Sequence, residues 1–198
     1  SPCLFHGTLI PGKPKLYLGI YVDDFVYFSE CDDAEKKFQS LLQTKTNVDF
    51  MGPVTHFLGH KFQWEDYTIN NQQHLRVHLS QTAFADHLVD LAQLSDSAKP
   101  VITPYRSGYP VDAIIKPQPS SKEKDSLKQQ MRSLVGSLNW LSQGTRPDLA
   151  TITSMLAKYQ NSPTSAHVNA AKYAIRYVKQ TKHLGILFDS NYQPNLQS

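Results

Sequence analysis

The stretch LYLGIYVDDFVYFSE, residues 16–30, places two adjacent aspartates between two runs of apolar and aromatic residues. Residues 16–22 and 25–28 are rich in aromatic and branched side chains, which favour strands, whereas Asp23 and Asp24 are typical of turns. The pattern therefore predicts a β-hairpin that exposes both carboxylates at its tip. Judged by spacing alone, the simplest interpretation is a solvated turn in which aspartate suits the backbone.

A second interpretation of the same tip is a metal site. Magnesium prefers carboxylate oxygens and usually keeps several of its waters. Two such ions about 4 Å apart can activate a hydroxyl and stabilise a leaving phosphate, as they do in polymerases. Because strands hold ligands more rigidly than loops, a hairpin tip suits this chemistry. The hairpin residues alone leave both interpretations open.

The residues that follow predict a helix and a second hairpin. The helix covers residues 34–42, with Asp32 or Asp33 as its N-cap. The segments THFLGHKFQW and YTIN read as two strands that turn around residues 65–66. Antiparallel hairpins therefore dominate the first part of the predicted fold.

Ser80 is the predicted N-cap of a second helix, which carries Phe84, Leu88 and Leu91 on one face. Residues 99–122 contain five prolines, a density that no long helix tolerates. This segment is therefore interpreted as a connector between domains 1–98 and 123–198.

The last part of the chain predicts helices. The first has a regular apolar stripe formed by Leu127, Met131, Leu134, Val135, Leu138 and Leu141. Pro147 suits the first turn of a helix that runs to about Gln160, and Thr164 caps a third helix that Gly185 ends. With a final strand at "ILF", the predicted fold class is α+β.

Composition and charge set limits on function. The chain has 198 residues, 40% of them apolar and 19% charged, and no apolar run long enough to span a membrane. Two cysteines without disulfide spacing favour a reducing, intracellular compartment. Residues 1–119 hold 10 Lys and Arg against 13 Asp and Glu, whereas residues 120–198 hold 10 against 4. This asymmetry points mildly to a polyanion partner, although solvated helix faces explain it equally simply.

Several blocks in order resemble one known family. YVDD between two apolar strands is similar to the catalytic hairpin of reverse transcriptases. SPCLFHG, HFLGHKF, HLSQTAF and TPY resemble successive segments of copia-type LTR retrotransposon polyproteins, and the most specific blocks are MRSLVGSLNWLSQGTRPDLA and SPTSAHVNAAKYAIRYVKQT. Met131 stands where that family usually has tyrosine, and INNQQHLRVH looks longer than its usual turn.

The resemblance implies roles for individual residues. Asp23 and Asp24 would be catalytic residues and ligands of Mg²⁺ or Mn²⁺. Tyr21 and Val22 would lie near the primer terminus. The primer grip would be formed by Phe57, Leu58 and Gly59. The reaction would be attack of a primer 3′-hydroxyl on a deoxynucleoside triphosphate, templated by RNA or DNA.

The resemblance also implies what surrounds the chain. Residues 1–98 would be a partial polymerase palm with the start of the thumb, and residues 123–198 a helical connection region before a ribonuclease H domain. The partners would be template–primer, dNTP and the rest of the polyprotein, namely fingers, ribonuclease H and integrase, with no membrane partner. The parent element would occupy a cytoplasmic virus-like particle and the nucleus. The family's first catalytic aspartate would lie upstream of Ser1, so this chain is expected to be inactive alone.

The histidine pairs and one cysteine each have two possible interpretations. His56 and His60, like His74 and His78, have a spacing found in zinc sites, but strand residues four apart lie far from each other. Cys31 is either a nucleophile or a small buried thiol.

Basic residues recur at helical spacing near the C-terminus. They are Lys172, Arg176 and Lys179, and they form either a track for a nucleic-acid backbone or a solvated helix face. Arg146 is predicted to be structural, pairing with Asp148 or a helix end. The predicted function is therefore a reverse transcriptase fragment. The alternative is a retroelement relic without enzymatic activity that binds at most nucleic acid or a protein partner.

Overall fold

A computed structural model describes residues 3–95, 97, 99–106 and 121–192, with side chains from residue 124 onward in the last range. These ranges contain both helices and antiparallel strands, which is compatible with the predicted α+β class. The chain divides into two compact units, Ser1–Phe57 and Leu58–Ser198. The two units are described in turn.

The first unit is built on the predicted hairpin. Strands β1 (Leu4–Gly7), β2 (Leu16–Tyr21) and β3 (Asp24–Ser29) form an antiparallel sheet in that order. Helix α1 (Asp32–Lys45) follows, and the two-residue strand β4 (His56–Phe57) ends the unit. The hairpin prediction is thus confirmed.

Helix α1 begins differently from the prediction. Its N-cap is Cys31, so neither Asp32 nor Asp33 is the cap; both lie in the first turn, where acidic side chains suit the helix dipole. The Cys31 N–H donates to Ser29 Oγ at 3.2 Å, and Glu35 Oε1 accepts the Ser29 N–H at 3.1 Å. These side-chain bonds fix the entry of α1 from the end of β3.

The second unit contains a long hairpin with a third strand. Strands β5 (His60–Ile69), β6 (Gln72–Ser80) and β7 (Ile186–Asp189) pair antiparallel. The predicted turn at residues 65–66 is wrong, because β5 continues through both residues. The chain turns at Asn70 and Asn71, whose φ angles of 51° and 62° are those that asparagine tolerates in tight hairpin turns.

The helices of the second unit follow the predicted order. They are α2 (Thr82–Leu91), α3 (Ser121–Gly144), α4 (Ala150–Ala157), which a 3-10 turn (Pro147–Leu149) precedes, and α5 (Ser165–Gln180). Ser80 is not the cap of α2, because it still belongs to β6 and Gln81 takes that position. Gly185 does not end α5, which stops at Gln180; it leads into β7. The predicted strand at "ILF" is confirmed.

Thr164 is the N-cap of α5, as predicted. Its backbone N–H donates to Nδ1 of His167 at 2.9 Å, so the histidine reaches back to the start of its own helix. His167 is 3% exposed and its ring stacks on Tyr159 at 4.1 Å. The Pro-x-x-x-His step in the sequence is therefore explained as a helix cap.

The predicted apolar stripe of α3 lies in the core of the second unit. Met131, Leu134, Leu138 and Leu141 are at most 1% exposed. The same cluster includes Leu88 of α2, so residues before and after the proline-rich segment share one core. The two compact units divide at residues 57–58. Residues 107–120 of the predicted connector lie outside the described ranges, so the domain boundary there stays a prediction. Within the described residues, no helix combines the length and apolarity needed to cross a membrane.

Arg146 joins three helical segments at one end of this core. It is 2% exposed, and its guanidinium donates to both carboxylate oxygens of Asp148 at 3.0 and 2.7 Å. It also donates to the main-chain oxygen of Thr181, just after α5, at 2.9 Å. The ring of Tyr177 lies 5.4 Å from the guanidinium carbon. The predicted pairing with Asp148 and with a helix end is confirmed on both counts.

The ionisation of Asp148 makes the stability that this network contributes depend on pH. Burial alone would raise the pKa of Asp148, but hydrogen bonds and charge from Arg146, with a hydrogen bond from Tyr177, outweigh burial and lower that pKa. A carboxyl group with a lowered folded pKa contributes stability above its unfolded pKa of about 4 and loses that contribution as pH falls through the folded value. We therefore expect the stability advantage of the wild type over Asp148→Asn to shrink on acidification. Urea unfolding of both proteins between about pH 2 and 7 measures this advantage, and parallel pH profiles would contradict the expectation.

Candidate functional site

The tip of the β2–β3 hairpin carries the four residues of the YVDD motif. Tyr21 and Asp24 are the last paired residues, and Val22 and Asp23 form the two-residue loop between them. Both aspartates are exposed. The structure thus places Asp23 in the loop itself and Asp24 as the first residue of β3.

Val22 has an unusual backbone conformation. Its φ is 53°, a left-handed value that is a genuine outlier for a β-branched residue. Its side chain is 80% exposed, so burial of that side chain does not compensate the strain, which costs on the order of 1–3 kcal/mol. Strained residues of this kind cluster at functional sites, which favours a functional reading of this loop over a simple solvated turn.

An aromatic cluster in the first unit packs against strand β3, starting at the residue after Asp24. Phe25 and Tyr27 of β3 pack against Phe38 of α1 and against Phe50, with ring centroids between 5.0 and 6.4 Å apart. Gln39 of α1 donates to the Tyr27 hydroxyl at 2.6 Å. Asp24 therefore begins a strand whose following residues are packed and hydrogen-bonded, and Asp23 precedes it in the loop.

The donor chemistry of the tip fits a hard divalent cation. Asp23 and Asp24 offer only carboxylate oxygens, which suit Mg²⁺ or Mn²⁺. Within the described ranges, no three His, Cys, Asp or Glu side chains are grouped so that they could hold a metal ion. The tip can accordingly supply part of a metal site. Neither the His56/His60 pair nor the His74/His78 pair has a third potential ligand grouped with it in the described ranges.

The predicted primer-grip residues lie around the boundary between the units. Phe57 ends β4, and Leu58 and Gly59 form the two-residue turn before β5, with φ angles of 49° and 75°. A Cβ on Gly59 would meet nothing within 4 Å, so backbone conformation rather than space requires the glycine. Leu58 carries a Cβ, so the same left-handed backbone conformation is energetically unfavourable for Leu58.

The basic residues of α5 have partners within the second unit. Arg176 donates to the Lys99 carbonyl oxygen through Nε at 3.0 Å and through Nη2 at 2.5 Å. Lys179 Nζ donates to the Ser95 carbonyl oxygen at 3.3 Å. Lys172 lies half-buried on the same helix. This stripe is therefore neither a solvated face nor a wholly free track, because two of its three members hold the chain segment that follows α2.

Two arginines flank one tyrosine beneath that segment. The guanidinium carbons of Arg106 and Arg176 lie 5.4 and 5.5 Å from the ring centroid of Tyr173. Residues 99–106 thus dock on α5 through cation–π contacts as well as hydrogen bonds. The TPY block of the sequence falls in this docked segment.

A second group of residues is His60, which the sequence suggested only for a zinc site, with Gln81 and Gly144, to which the sequence assigned no role. Gln81 is 3% exposed, and its Oε1 accepts hydrogen bonds from the Thr145 backbone and hydroxyl at 3.1 and 3.0 Å. A Cβ on Gly144 would lie 2.3 Å from that oxygen and 2.7 Å from His60 Nε2. The signal that could have revealed this contact is the pair of blocks HLSQTAF and LSQGTRPDLA, which supply its partners.

Comparison with known proteins gives several relatives. An uncharacterized mitochondrial protein of Arabidopsis thaliana is 28% identical over 185 residues, which cover 92% of this chain and 69% of that protein. The retrovirus-related Pol polyprotein from transposon TNT 1-94 of Nicotiana tabacum is 24% identical over 181 residues, 91% of this chain and 13% of the polyprotein. The corresponding polyprotein from transposon RE2 of Arabidopsis thaliana is 28% identical over 175 residues, 88% of this chain and 11% of the polyprotein.

No family model matches the chain, and no solved structure matches it significantly. The relatives nonetheless confirm the predicted resemblance to retrotransposon polyproteins along about nine tenths of the chain. The chain spans only 11–13% of the polyproteins that it matches.

Proposed function

We propose that this chain, a relative of copia-type retrotransposon Pol polyproteins, is a reverse transcriptase segment that supplies part of a catalytic metal site. The full enzyme would add dNTPs to a primer 3′-hydroxyl on an RNA or DNA template. The observation that carries the proposal is the strained, exposed loop at the hairpin tip, in which Val22 has a φ of 53° beside two adjacent carboxylates.

In this proposal each residue of the tip has a distinct role. Asp23 binds the cation, and Asp24 adds a second carboxylate at the start of a well-packed strand. Bound Mg²⁺ or Mn²⁺ would activate the primer hydroxyl and stabilise charge on the phosphates. Tyr21 lies opposite Asp24 in the hairpin, and Val22 projects from the loop, which suits contact with the primer terminus.

Contact with nucleic acid by the basic stripe is part of the same proposal. Because Arg176 and Lys179 already donate to main-chain oxygens, Lys172 is assigned the first phosphate contact. The other two residues would act mainly by holding Ser95 and residues 99–106 beside α5. Primer contact by Phe57, Leu58 and Gly59 rests on the resemblance and on the turn geometry described above.

The test is template-dependent incorporation of labelled dNTP in the presence of Mg²⁺. We expect no incorporation by the 198-residue chain alone, because two carboxylates at one tip provide too few ligands for a two-metal site. A longer polyprotein segment that includes the sequence preceding Ser1 is expected to be active. In that segment, Asp23→Asn should lower incorporation by about 100-fold or more, since it removes a charge on the reacting centre.

The matched control is Asp33→Asn, which changes one of two adjacent exposed aspartates in α1 of the same unit. This variant should leave incorporation within about twofold of the unmodified segment. The charge that it removes interacts with the dipole of α1, and that interaction contributes only about 0.5 kcal/mol to stability. Incorporation by the isolated chain that Asp23→Asn abolishes would contradict the expected inactivity. An inactive longer segment would contradict the polymerase proposal and favour a non-enzymatic relic.

A further inference from the structure

The Leu58–Gly59 turn is held in an unfavourable backbone conformation by a neighbouring side chain. Leu58 has a φ of 49°, which costs a residue with a Cβ about 1–2 kcal/mol. Nδ1 of His60 lies 2.9 Å from the main-chain oxygen of Leu58. Because a carbonyl oxygen only accepts hydrogen bonds, Nδ1 must carry the hydrogen. In the neutral ring, Nε2 of His60 is then an acceptor.

The other nitrogen of His60 faces the end of α3. Nε2 lies 2.7 Å from the point that a Cβ on Gly144 would occupy, so only glycine leaves room for the ring there. Trp140, one turn earlier on α3, lies 6.1 Å from the His60 ring between centroids. The ring is therefore placed between the Leu58–Gly59 turn and the C-terminal turn of α3.

The side chain of Gln81 also approaches the Cβ position of Gly144. Its Oε1 lies 2.3 Å from the same Cβ position on Gly144 and accepts hydrogen bonds from the Thr145 N–H and hydroxyl. Because the Thr145 N–H is a donor only, the orientation of the Gln81 amide is fixed. Its Nε2 is buried and has no hydrogen-bond partner within the described part of the chain. A buried donor without an acceptor costs about 1–3 kcal/mol, which makes this position unusual for a purely structural residue.

We propose that His60 and Gln81 are positioning residues that couple the end of α3 to the Leu58–Gly59 turn. Gln81 fixes Thr145 and Gly144, Gly144 leaves space for the His60 ring, and His60 fixes the Leu58 carbonyl. The inference rests on the proposed function, because the turn would be the backbone that contacts the primer.

Two variants of His60 separate its two nitrogens. In His60→Asn the side-chain amide nitrogen replaces Nδ1 and can still donate to the Leu58 oxygen, whereas in His60→Gln the amide group replaces Nε2 and the contact with Leu58 is lost. Amide hydrogen exchange at residues 58–60 is the first measurement. We expect His60→Gln to speed exchange about three- to tenfold and His60→Asn to leave it close to wild type, since one net hydrogen bond contributes about 1 kcal/mol.

The second measurement is preference for a primer end. Binding of the 198-residue chain to an RNA–DNA duplex with a recessed 3′ end is compared with binding to a blunt duplex of the same length. His60→Gln should lose the preference for the recessed end about three- to tenfold while keeping its affinity for the blunt duplex. A residue that acts only on folding would lower both affinities together.

A substitution of Gln81 that removes its acceptor oxygen tests the other half of the coupling. The variant for this test is therefore Gln81→Met, in which methionine has a similar length but lacks the oxygen that accepts from Thr145, whereas Gln81→Glu keeps that acceptor. Exchange at residues 58–60 should rise in Gln81→Met about as much as in His60→Gln. His74→Gln is the control, because His74 stacks on Tyr67 at the far end of the β5–β6 hairpin; it should change neither measurement.

The outcomes distinguish the two proposals. Equal exchange in His60→Asn and His60→Gln, or unchanged exchange in Gln81→Met, would overturn the coupling. If exchange responds as expected but the wild type shows no preference for a recessed end, the coupling stands and the primer-contact role is contradicted. A preference lost only in His60→Gln and Gln81→Met would support both.

Discussion

Replacing Arg146 with alanine is expected to destabilise the second unit by about 2–4 kcal/mol, because it removes several hydrogen bonds made by one buried charged group. The guanidinium is 2% exposed and donates to Asp148, to the Thr181 carbonyl and to the Thr181 hydroxyl. These bonds tie the segment after α3 to the start of α4 and the end of α5. A loss of this size is a large part of the 5–15 kcal/mol that stabilises a typical domain.

Tryptophan fluorescence during urea unfolding measures this loss selectively, since both tryptophans, Trp64 and Trp140, lie in the second unit. Arg132→Ala is the matched control: Arg132 is an exposed arginine of α3 with a bond to Asn161 Oδ1 at 2.9 Å, and its loss should cost less than about 1 kcal/mol. Arg146→Lys should fall between the two, because lysine keeps the charge but not the planar fork. Equal stability of Arg146→Ala and Arg132→Ala would contradict the proposed network.

Local patterns predicted the elements that depend on neighbouring residues. The β2–β3 hairpin follows from two strand-forming runs around Asp23-Asp24, and the α3 stripe follows from apolar spacing. The second hairpin was misplaced because acidic residues at positions 65–66 look like a turn, while the Asn70-Asn71 pair reads as part of a polar run. The turn forms at Asn70 and Asn71 because both residues adopt a left-handed backbone conformation. Strand β5 continues through residues 65–66, where Glu65 pairs across the hairpin with Arg76.

The site was predictable only where one motif contains it. YVDD indicated the exposed carboxylates, but no pattern indicated that Val22 would adopt a left-handed conformation. The basic stripe of α5 was visible as spacing, whereas its carbonyl partners at Ser95 and Lys99 depend on how a distant segment docks. The close approach of Gln81 and His60 to Gly144 joins residues 63 and 84 positions apart along the chain, so it arises from packing rather than from local sequence.

Replacing Gly185 with alanine is expected to cost about 3 kcal/mol and to detach β7 from β6, because the added methyl group would overlap the backbone of β6. A Cβ at this position would lie 2.2 Å from the Leu79 carbonyl oxygen and 2.7 Å from His78 Nε2. A backbone oxygen in a paired strand cannot turn aside as a flexible side chain can. The pairing of Leu79 with Ile186, the residue after Gly185, would be lost first.

Two measurements separate local detachment from global unfolding: amide exchange at residues 186–189, and urea unfolding followed by tryptophan fluorescence. Loss of β7 also removes Asp189, which accepts a hydrogen bond from Tyr67 of β5, so both measurements should change. Gly136→Ala is the control, since a Cβ on this exposed α3 residue would meet nothing within 4 Å, and it should stabilise the helix by about 0.5–1 kcal/mol. Because the two substitutions add the same methyl group, opposite signs would assign the effect to the close approach of Gly185 to β6. A Gly185→Ala protein as stable as Gly136→Ala would show that β7 does not pair with β6 in this register.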